Sequence, residues 1–186
     1  MPYLTGFGAL LVLWIIYGIA SSWSIMKLFE GADGRPSTSK FQFWLWTTVV
    51  IFAYVALYAV KVKAGHFEPI THIPQNVLIA MGMSVATATA AKGITASYVS
   101  SGRLTKTAVA SGSAGLGAIF QDDTGFPELA KVQMIAWTLI AVATYLILLG
   151  ARIRSGDFAR LPDIDTSLMV LMGLGQVGYL GKKAVS

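Results

Sequence analysis

Two lysines inside small-residue, largely apolar segments are the residues of this sequence best placed to do chemistry. Lys92 lies in the string AMGMSVATATAAKGITASY, and Lys183 lies in TSLMVLMGLGQVGYLGKKA. A ring of cations at the mouth of a membrane pore attracts anions and selects for them. The alternative is that each ammonium snorkels to the membrane surface and serves only as an anchor. Both interpretations require the two segments to be membrane-spanning helices.

The same two segments carry weakly polar side chains at helical spacing. Ser84, Thr87 and Thr95 lie in the first segment, and Gly173 and Gln176 lie in the second. Spacings of three or eight residues put the members of each set on one helical face. A polar stripe inside a membrane span either lines a water-filled path or packs against another helix. We predict that these five residues form a pore-lining or helix-packing face.

No set of residues in the sequence supports catalysis or metal binding. The chain contains no cysteine, and its two histidines, His66 and His72, have neither zinc nor haem spacing. The string GLGQVG at 173–178 matches a dinucleotide-binding pattern, but that motif needs a strand before it and a helix after it. No acidic residue lies within an apolar segment, which argues against proton pumps and intramembrane proteases. We therefore expect no enzyme activity, no cofactor and no metal.

The composition is that of a membrane protein. Of the 186 residues, 55 % are hydrophobic and 12 % are charged, a balance unlike that of a soluble domain. The net charge of +5 comes from basic residues at the ends of apolar runs, which indicates membrane anchoring rather than nucleic-acid binding. A bilayer core is crossed by about 20 apolar residues. Five spans, TM1 to TM5, are predicted at residues 6–29, 40–63, 75–98, 131–154 and 166–184.

The chain repeats itself at an interval of 91 residues. Between 31–95 and 122–186, fourteen of the 65 aligned positions are identical and no gap is needed. The identical positions include three polar or aromatic residues on one face of each long aromatic helix. These residues are Gln42, Trp46 and Tyr54 in the first copy and Gln133, Trp137 and Tyr145 in the second. We predict that they are a structural scaffold with the same role in both copies.

The repeat defines the domain organisation. We divide the chain into an N-terminal transmembrane helix (1–30), a first two-helix hairpin (31–98), a Gly- and Ser-rich connector (99–121) and a second hairpin (122–186). Because each copy contains two spans, both enter the membrane from the same side. The predicted fold is an all-α polytopic membrane bundle with a parallel tandem repeat, related by a pseudo-two-fold axis along the membrane normal.

The helix ends and the charges give local detail. Ser39 followed by Gln42 has capping-box spacing at the start of TM2, and Asp165 is placed to cap TM5. Five spans put nine basic residues on the side of the C-terminus and five on the other side. The positive-inside rule then favours an outside N-terminus and a cytoplasmic C-terminus. The nine are Lys27, Arg35, Lys40, Lys92, Arg103, Lys106, Lys131, Lys182 and Lys183.

Two strings resemble a known sequence pattern. GRPSTSKFQFWLWT and LPDIDTSLMVLMGLGQVGYLGKK are similar to a recurring pattern of uncharacterised bacterial integral membrane proteins. In that pattern a Ser-Thr-Ser-Lys…Gln…Trp-Thr helix opens a hairpin, and a Leu-Pro…Leu…Gly…Tyr-x-x-Lys-Lys helix closes one. The resemblance covers most of the chain after TM1. It implies the hairpin architecture and a bacterial cytoplasmic membrane, and it brings no activity with it.

Two function classes fit these observations. The function we predict is an oligomeric pore or ion channel lined by the small-residue spans TM3 and TM5, because of their polar stripes and repeated lysines. The alternative is a non-catalytic structural or accessory membrane subunit that anchors or docks a larger assembly. The predicted partners are the lipid bilayer and further copies of the chain, with residues 99–130 as a candidate docking segment for another protein. No nucleic-acid partner is expected.

Overall fold

The chain is all helical in a computed structural model, which describes residues 2–30, 34–102, 115–121 and 126–185. The described residues form six α-helices and a short 3₁₀ helix (Leu116–Phe120), and they contain no β-strand. The helices are α1 (Pro2–Ala20), α2 (Ile25–Phe29), α3 (Thr38–Lys63), α4 (Gln75–Ser100), α5 (Leu129–Ser155) and α6 (Thr166–Val185). The helices α3 to α6 correspond to the predicted spans TM2 to TM5.

Four of the helices, α1, α3, α4 and α5, are long and apolar enough to cross a membrane. They contain 19 to 27 residues, and at about 1.5 Å per residue the shortest of them approaches the thickness of a bilayer core. The six-helix chain is therefore a plausible membrane helical bundle. Helix α6 has 20 residues but is not among the four, so the fifth predicted span rests on other arguments.

The N-terminal span differs from the prediction of one helix over residues 6–29. Helix α1 ends at Ala20, and the chain turns through Ser22 and Trp23, both with positive φ, before α2 begins. The Trp23 ring folds back on α1, because Gly18 leaves room for it and Trp14 meets it edge-on at 5.2 Å. Neither residue with positive φ is a glycine, so the sequence gives no signal for a turn at these positions. Aromatic packing on Gly18 stabilises a turn that residue propensity does not favour.

The starts of α3 and α5 are built alike. Before each helix the chain forms an isolated antiparallel bridge, Glu30 with Pro36 and Gln121 with Pro127. The first lysine side chain of each helix then donates to a carbonyl ten residues earlier, Lys40 to Glu30 and Lys131 to Gln121. These contacts are 91 residues apart in the chain, and they satisfy polar groups at the helix ends.

The N-cap of α3 is Ser37, two residues before the predicted Ser39. The Ser37 hydroxyl accepts the Lys40 N–H, and the helix begins at Thr38. Ser39, which has capping-box spacing with Gln42, is instead buried inside the first turn. At α6 the predicted cap is present, because the Asp165 carboxylate accepts the Ser167 N–H at 2.8 Å.

The ends of α3 and α5 also match. Gly65 and Gly156 follow these helices with φ of +85° and +74°, a conformation that glycine adopts without steric cost. A basic side chain in the last turns then reaches the next loop: Lys61 donates to the Pro69 carbonyl, and Arg152 donates to the Arg160 carbonyl. Both loops therefore reverse direction in the same way, and they set each following helix antiparallel to the one before.

Helix α3 lies at the centre of the bundle. It packs against α1, α4 and α5, while α6 packs against α4 and α5. The core is formed by residues of α3, α4, α5 and α6, and α1 is almost entirely exposed along its length. Exposed apolar side chains at this density are costly in water and are the expected surface of a helix in lipid. The largest fully buried side chains are Trp46, Tyr145, Leu57, Met134, Leu149, Leu161 and Met172.

Candidate functional site

Helices α3 and α5 are joined by a buried polar contact. The Gln42 side-chain amide donates to Thr138 Oγ1 at 2.5 Å and to the Met134 carbonyl at 3.2 Å. Thr138 Oγ1 in turn donates to the Met134 carbonyl at 2.8 Å. All three residues are buried, and α5 supplies two acceptors for the amide N–H groups of Gln42.

An aromatic contact follows further into the bundle, one turn after Gln42 on α3 and two turns after Thr138 on α5. The Trp46 and Tyr145 rings meet edge-on, with centroids 6.1 Å apart, and both side chains are fully buried. Ala53 and Ala141, also fully buried, let the two backbones approach closely. The α3–α5 contact is therefore a dry seam of one amide, one aromatic pair and small residues. This geometry fits a structural role.

The aligned residues of the two hairpins do not have equivalent surroundings. Gln133 is exposed, although its counterpart Gln42 is buried, and Trp137 and Tyr54 are only half-buried. A pseudo-two-fold axis would bury both members of each pair equally. This contact does not confirm such an axis, because one face of α3 meets a different face of α5. The prediction of a common scaffold role describes Gln42, Trp46 and Tyr145 but leaves their three counterparts outside the seam.

The weakly polar residues of TM3 and TM5 meet one another inside the chain. The Thr87 hydroxyl donates to the Gln176 amide oxygen, and both side chains are buried between α4 and α6. Ser84, fully buried, donates to the Ala80 carbonyl. In the single chain these three residues thus occupy a helix-packing face.

Two further members of the predicted face are placed differently. A Cβ on Gly173 would lie 3.5 Å from Met83 Sδ, so this glycine also belongs to the α4–α6 contact. Thr95 is half-buried and donates to the Ala91 carbonyl within its own helix. Gly175, which the sequence did not single out, makes a closer approach, because its Cβ would lie 3.3 Å from Met134 Cα. The Gly-rich composition of TM5 was the available signal for that contact.

The two lysines are not brought together by contacts that the structure describes. Lys92 is exposed on α4, at the rim of a groove of about 380 Å³ between α3 and α4. Phe43, Thr47, Ser84 and Val85 also line this groove. Lys183 belongs to the last turn of α6, and its side chain lies outside the described residues. A shared cation ring of Lys92 and Lys183 therefore stays a prediction.

Charged groups are concentrated at the helix ends. Glu128 is buried before α5 and pairs with Lys131 at 3.4 Å and with Lys182 of α6 at 3.3 Å. At the opposite end, hydrogen bonds to the side chain and backbone of Ser167 lower the pKa of Asp165. A backbone hydrogen bond and, secondarily, the Lys61 ammonium lower the pKa of Glu68. The pKa values of Asp165 and Glu68 are therefore both lowered by local hydrogen bonds, which favour the ionised carboxylates.

The described residues contain no group of three or more His, Asp or Glu side chains that could hold a metal ion. The predicted docking segment is the connector at residues 99–130. Half of it, residues 103–114 and 122–125, lies outside the described residues. Comparison with known proteins adds nothing to the site: no family model, curated protein or solved structure matches the chain.

Proposed function

We propose that the chain is an integral membrane protein that works as a non-catalytic structural subunit of a homo-oligomer. The observation that supports this function is the placement of Thr87 and Gln176, which meet in the buried α4–α6 contact. Polar groups in a membrane span mark a function when they face a cavity or a substrate path. Here they hold two helices of the same chain together.

The full architecture is part of the proposal. We propose α6 as the fifth span, because it packs against the two candidate spans α4 and α5 and ends in Lys182 and Lys183, as a span at a membrane surface does. We also propose that the hairpins are tandem repeats. The matched bridges, lysine contacts and glycine turns at an interval of 91 residues support this.

The proposed location is the bacterial cytoplasmic membrane, with the N-terminus outside. With five spans, Lys40, Lys92 and Lys131 fall on the side of the C-terminus, and the excess of basic residues there supports a cytoplasmic C-terminus. The proposed partner is a further copy of this chain. The connector at 99–130 is proposed as a docking segment for other proteins.

A pore is the second candidate, and one surface favours it. The side of α4 that faces away from α3 carries only small residues over its central turns, among them Gly82, Ala86, Ala90 and Gly93, all exposed. In an oligomer with α1 on the outside, this surface would face the axis, and Lys92 would lie near its cytoplasmic end. The channel lining would then be this surface, in place of Ser84, Thr87 and Gln176.

Reconstitution separates the two candidates. The purified chain is placed in liposomes, and its stoichiometry and its passive flux of chloride and potassium are measured in the same preparation. An oligomer without flux is the expected result for a structural subunit. Flux that changes ion preference on Lys92→Ala would establish the pore instead, and a chain that remains monomeric in lipid would overturn both. Lys63→Ala, an exposed lysine at the opposite end of the bundle, is the matched control.

A further inference from the structure

The groove beside Lys92 combines basic side chains with an uncharged interior. Its volume of about 380 Å³ lies within the range of roughly 300–1,000 Å³ that is usual for ligand pockets. Lys40 of α3 and Lys92 of α4 line it, together with Tyr17 of α1 and Leu28 of α2. Four helices therefore contribute to one concave surface.

Both lysines lie at the outer end of this groove. Helix α3 enters the bundle from Lys40, and Thr47 lies about 10 Å further along the helix axis, at about 1.5 Å per residue. Helix α4 runs in the opposite direction, so Lys92 lies about 10 Å from Val85, back toward the start of α3. The groove thus runs from two ammonium groups near the end of the bundle to uncharged side chains deeper inside.

The two ammonium groups differ in their contacts. Lys40 donates to the Glu30 carbonyl, a contact that holds the start of α3 in place. Lys92 is exposed and forms no ion pair with another residue that the structure describes. A basic side chain near a membrane surface attracts anionic lipid. Lys92 is therefore the group in this groove best placed to bind an anion.

The deeper part of the groove satisfies its own polar groups. The hydroxyl groups of Thr47, Ser84 and Thr89 each donate to the carbonyl four residues earlier in the same helix. Phe43 and Val85 beside them are 41 % and 46 % exposed. A sugar or a nucleotide needs several polar partners in its site. This wall has no such donors to spare among these hydroxyls, and it suits a hydrocarbon chain.

Helix α2 supplies part of the wall because the chain turns after α1. The Phe29 ring of α2 meets the Phe41 and Trp44 rings of α3 edge-on, with centroids 5.5 and 5.3 Å apart. These contacts hold α2 against the start of α3, and the neighbouring Leu28 lines the groove together with Trp44. The break between α1 and α2 thus helps to build the outer part of the groove.

We infer that this groove binds one anionic phospholipid of the surrounding bilayer, with its phosphate at Lys92 and an acyl chain along Phe43 and Val85. Basic pockets between transmembrane helices bind anionic headgroups on the cytoplasmic side, where Lys92 lies in the proposed orientation. The groove offers positive charge at its outer end and apolar surface below it, in the order in which a phospholipid presents its headgroup and chains. The inference rests on the proposed membrane location and is independent of the proposed oligomer.

Native mass spectrometry of the full chain in detergent measures this binding directly. Phosphatidylglycerol, which is anionic, and phosphatidylcholine with the same acyl chains, which is zwitterionic, are added in separate titrations. We expect one phosphatidylglycerol per chain to bind more tightly than phosphatidylcholine. Lys92→Ala should weaken that binding about fivefold, which corresponds to the attraction of one basic side chain to an anionic lipid.

Lys27→Ala is the matched control for charge. Lys27 is exposed on α2, near the same end of the bundle, and it is not one of the residues that line the groove. Its replacement should leave the affinity for phosphatidylglycerol unchanged. Equal losses in the two variants would mean a general attraction to surface charge and would overturn the inference. Equal binding of the two lipids by the parent chain would overturn it as well, because no anion would then be recognised.

A filled groove tests the acyl chain separately from the charge. Val85→Trp places a large side chain in the groove and retains Lys92, so the preference for phosphatidylglycerol should be lost. Val99→Trp changes a position of α4 that is 47 % exposed and outside the groove, and it should retain the preference. Glycerol 3-phosphate carries the phosphate without a chain. If it displaced the lipid at a similar concentration, the ligand would be a free phosphate ester and the inference would fail.

The remaining outcomes separate this inference from the proposed function. The same spectra give the oligomeric state of each variant. If Val85→Trp dissociated an oligomer and phosphatidylglycerol showed no preference, the groove would be an interface between copies, and the lipid site alone would fail. If alkaline carbonate released the chain from membranes, the proposed membrane location would fail together with the lipid site.

Discussion

Thr47 and Thr138 make the same hydrogen bond in two helices but have different neighbours. Each hydroxyl donates at 2.8 Å to the carbonyl four residues earlier. Thr138 also accepts the Gln42 amide at 2.5 Å and is buried, whereas Thr47 lines an open groove. A hydroxyl bonded to its own helix still has lone pairs to offer, so both threonines can accept an amide. Within a single chain, Thr138 accepts the amide of Gln42 and Thr47 accepts no amide that the structure describes.

The first prediction follows from the different burial of Gln42 and Gln133. Gln42→Ala removes two buried hydrogen bonds and leaves a cavity between α3 and α5, so the chain should lose about 1–2 kcal/mol of unfolding free energy. Gln133→Ala, at the aligned exposed position, should change the stability of the monomer by less than about 0.5 kcal/mol. Denaturant titration in detergent, at a protein concentration that keeps the chain monomeric, measures both.

Equal losses for the two variants would contradict the asymmetric seam and would restore the pseudo-two-fold arrangement. Thr138→Val serves as a second check, because it removes the acceptor but retains the shape of the side chain. It should reproduce most of the effect of Gln42→Ala, since both changes break the same hydrogen bond.

The sequence predicted the helices better than it predicted their partners. Apolar length and turn residues located α3 to α5 within a few residues, and the interval of 91 identified residues of structural importance. The sequence does not indicate which of the two glutamines, Gln42 or Gln133, is buried. Gln42 and Gln133 have the same local sequence pattern, and their burial depends on which helix lies beside them, which is set by the packing of the whole chain.

Two local errors have physical causes as well. The break after Ala20 depends on the Trp23 ring packing against Gly18, a contact that no residue propensity reports. Helical spacing grouped Ser84, Thr87 and Gln176 on one predicted face, but spacing does not distinguish a helix contact from a water path. The open groove beside Thr47 depends on the relative position of α3 and α4 and leaves no pattern in the chain.

Close approach of α6 to α5 gives the second prediction. A side chain at Gly175 would begin 3.3 Å from Met134 Cα, a backbone atom that cannot move alone. Gly175→Leu should therefore cost about 1–3 kcal/mol through overpacking. Gly178→Leu is the control in the same helix, since nothing lies within 4 Å of its Cβ position. Thermal unfolding in detergent compares the two variants, and equal midpoints would exclude the close α5–α6 contact.

The turn after α1 gives the third prediction. A Cβ at Gly18 would lie 2.6 Å from Trp23 Cε3, so Gly18→Ala must displace the indole ring. We expect a shift in tryptophan emission and easier proteolysis between α1 and α2, at a cost of about 1–3 kcal/mol. Gly8→Ala, with nothing within 4 Å, should leave both properties unchanged. An unshifted spectrum for Gly18→Ala would mean that Trp23 does not pack on α1.

The N-cap of α6 gives a prediction in pH. Hydrogen bonds from Ser167 lower the pKa of Asp165, so the ionised cap stabilises the folded chain at pH values above the pKa of an unfolded aspartate, about 3.9. This stability is lost as the pH falls through the lower, folded pKa. The protection factor of the Ser167 amide in hydrogen exchange should therefore fall in acid. Asp165→Asn, which caps without titrating, should remove this fall, and an unchanged pH profile of the protection factor in that variant would assign it to another group.

The buried carboxylate before α5 gives the last prediction. Glu128 is 7 % exposed and faces two ammonium groups, Lys131 at 3.4 Å and Lys182 at 3.3 Å. Among the described residues, Glu128→Ala leaves the buried Lys131 with the Gln121 carbonyl and the face of the Tyr179 ring, so we expect a loss of about 2 kcal/mol. Lys182 is half exposed, and its share of that loss is small because solvent screens it. Glu68→Ala breaks the comparable pair with Lys61 at an exposed site and should produce no measurable change. If urea unfolding in detergent gave equal midpoints for the two variants, Glu128 would not be the group that fixes the start of α5 to the end of α6.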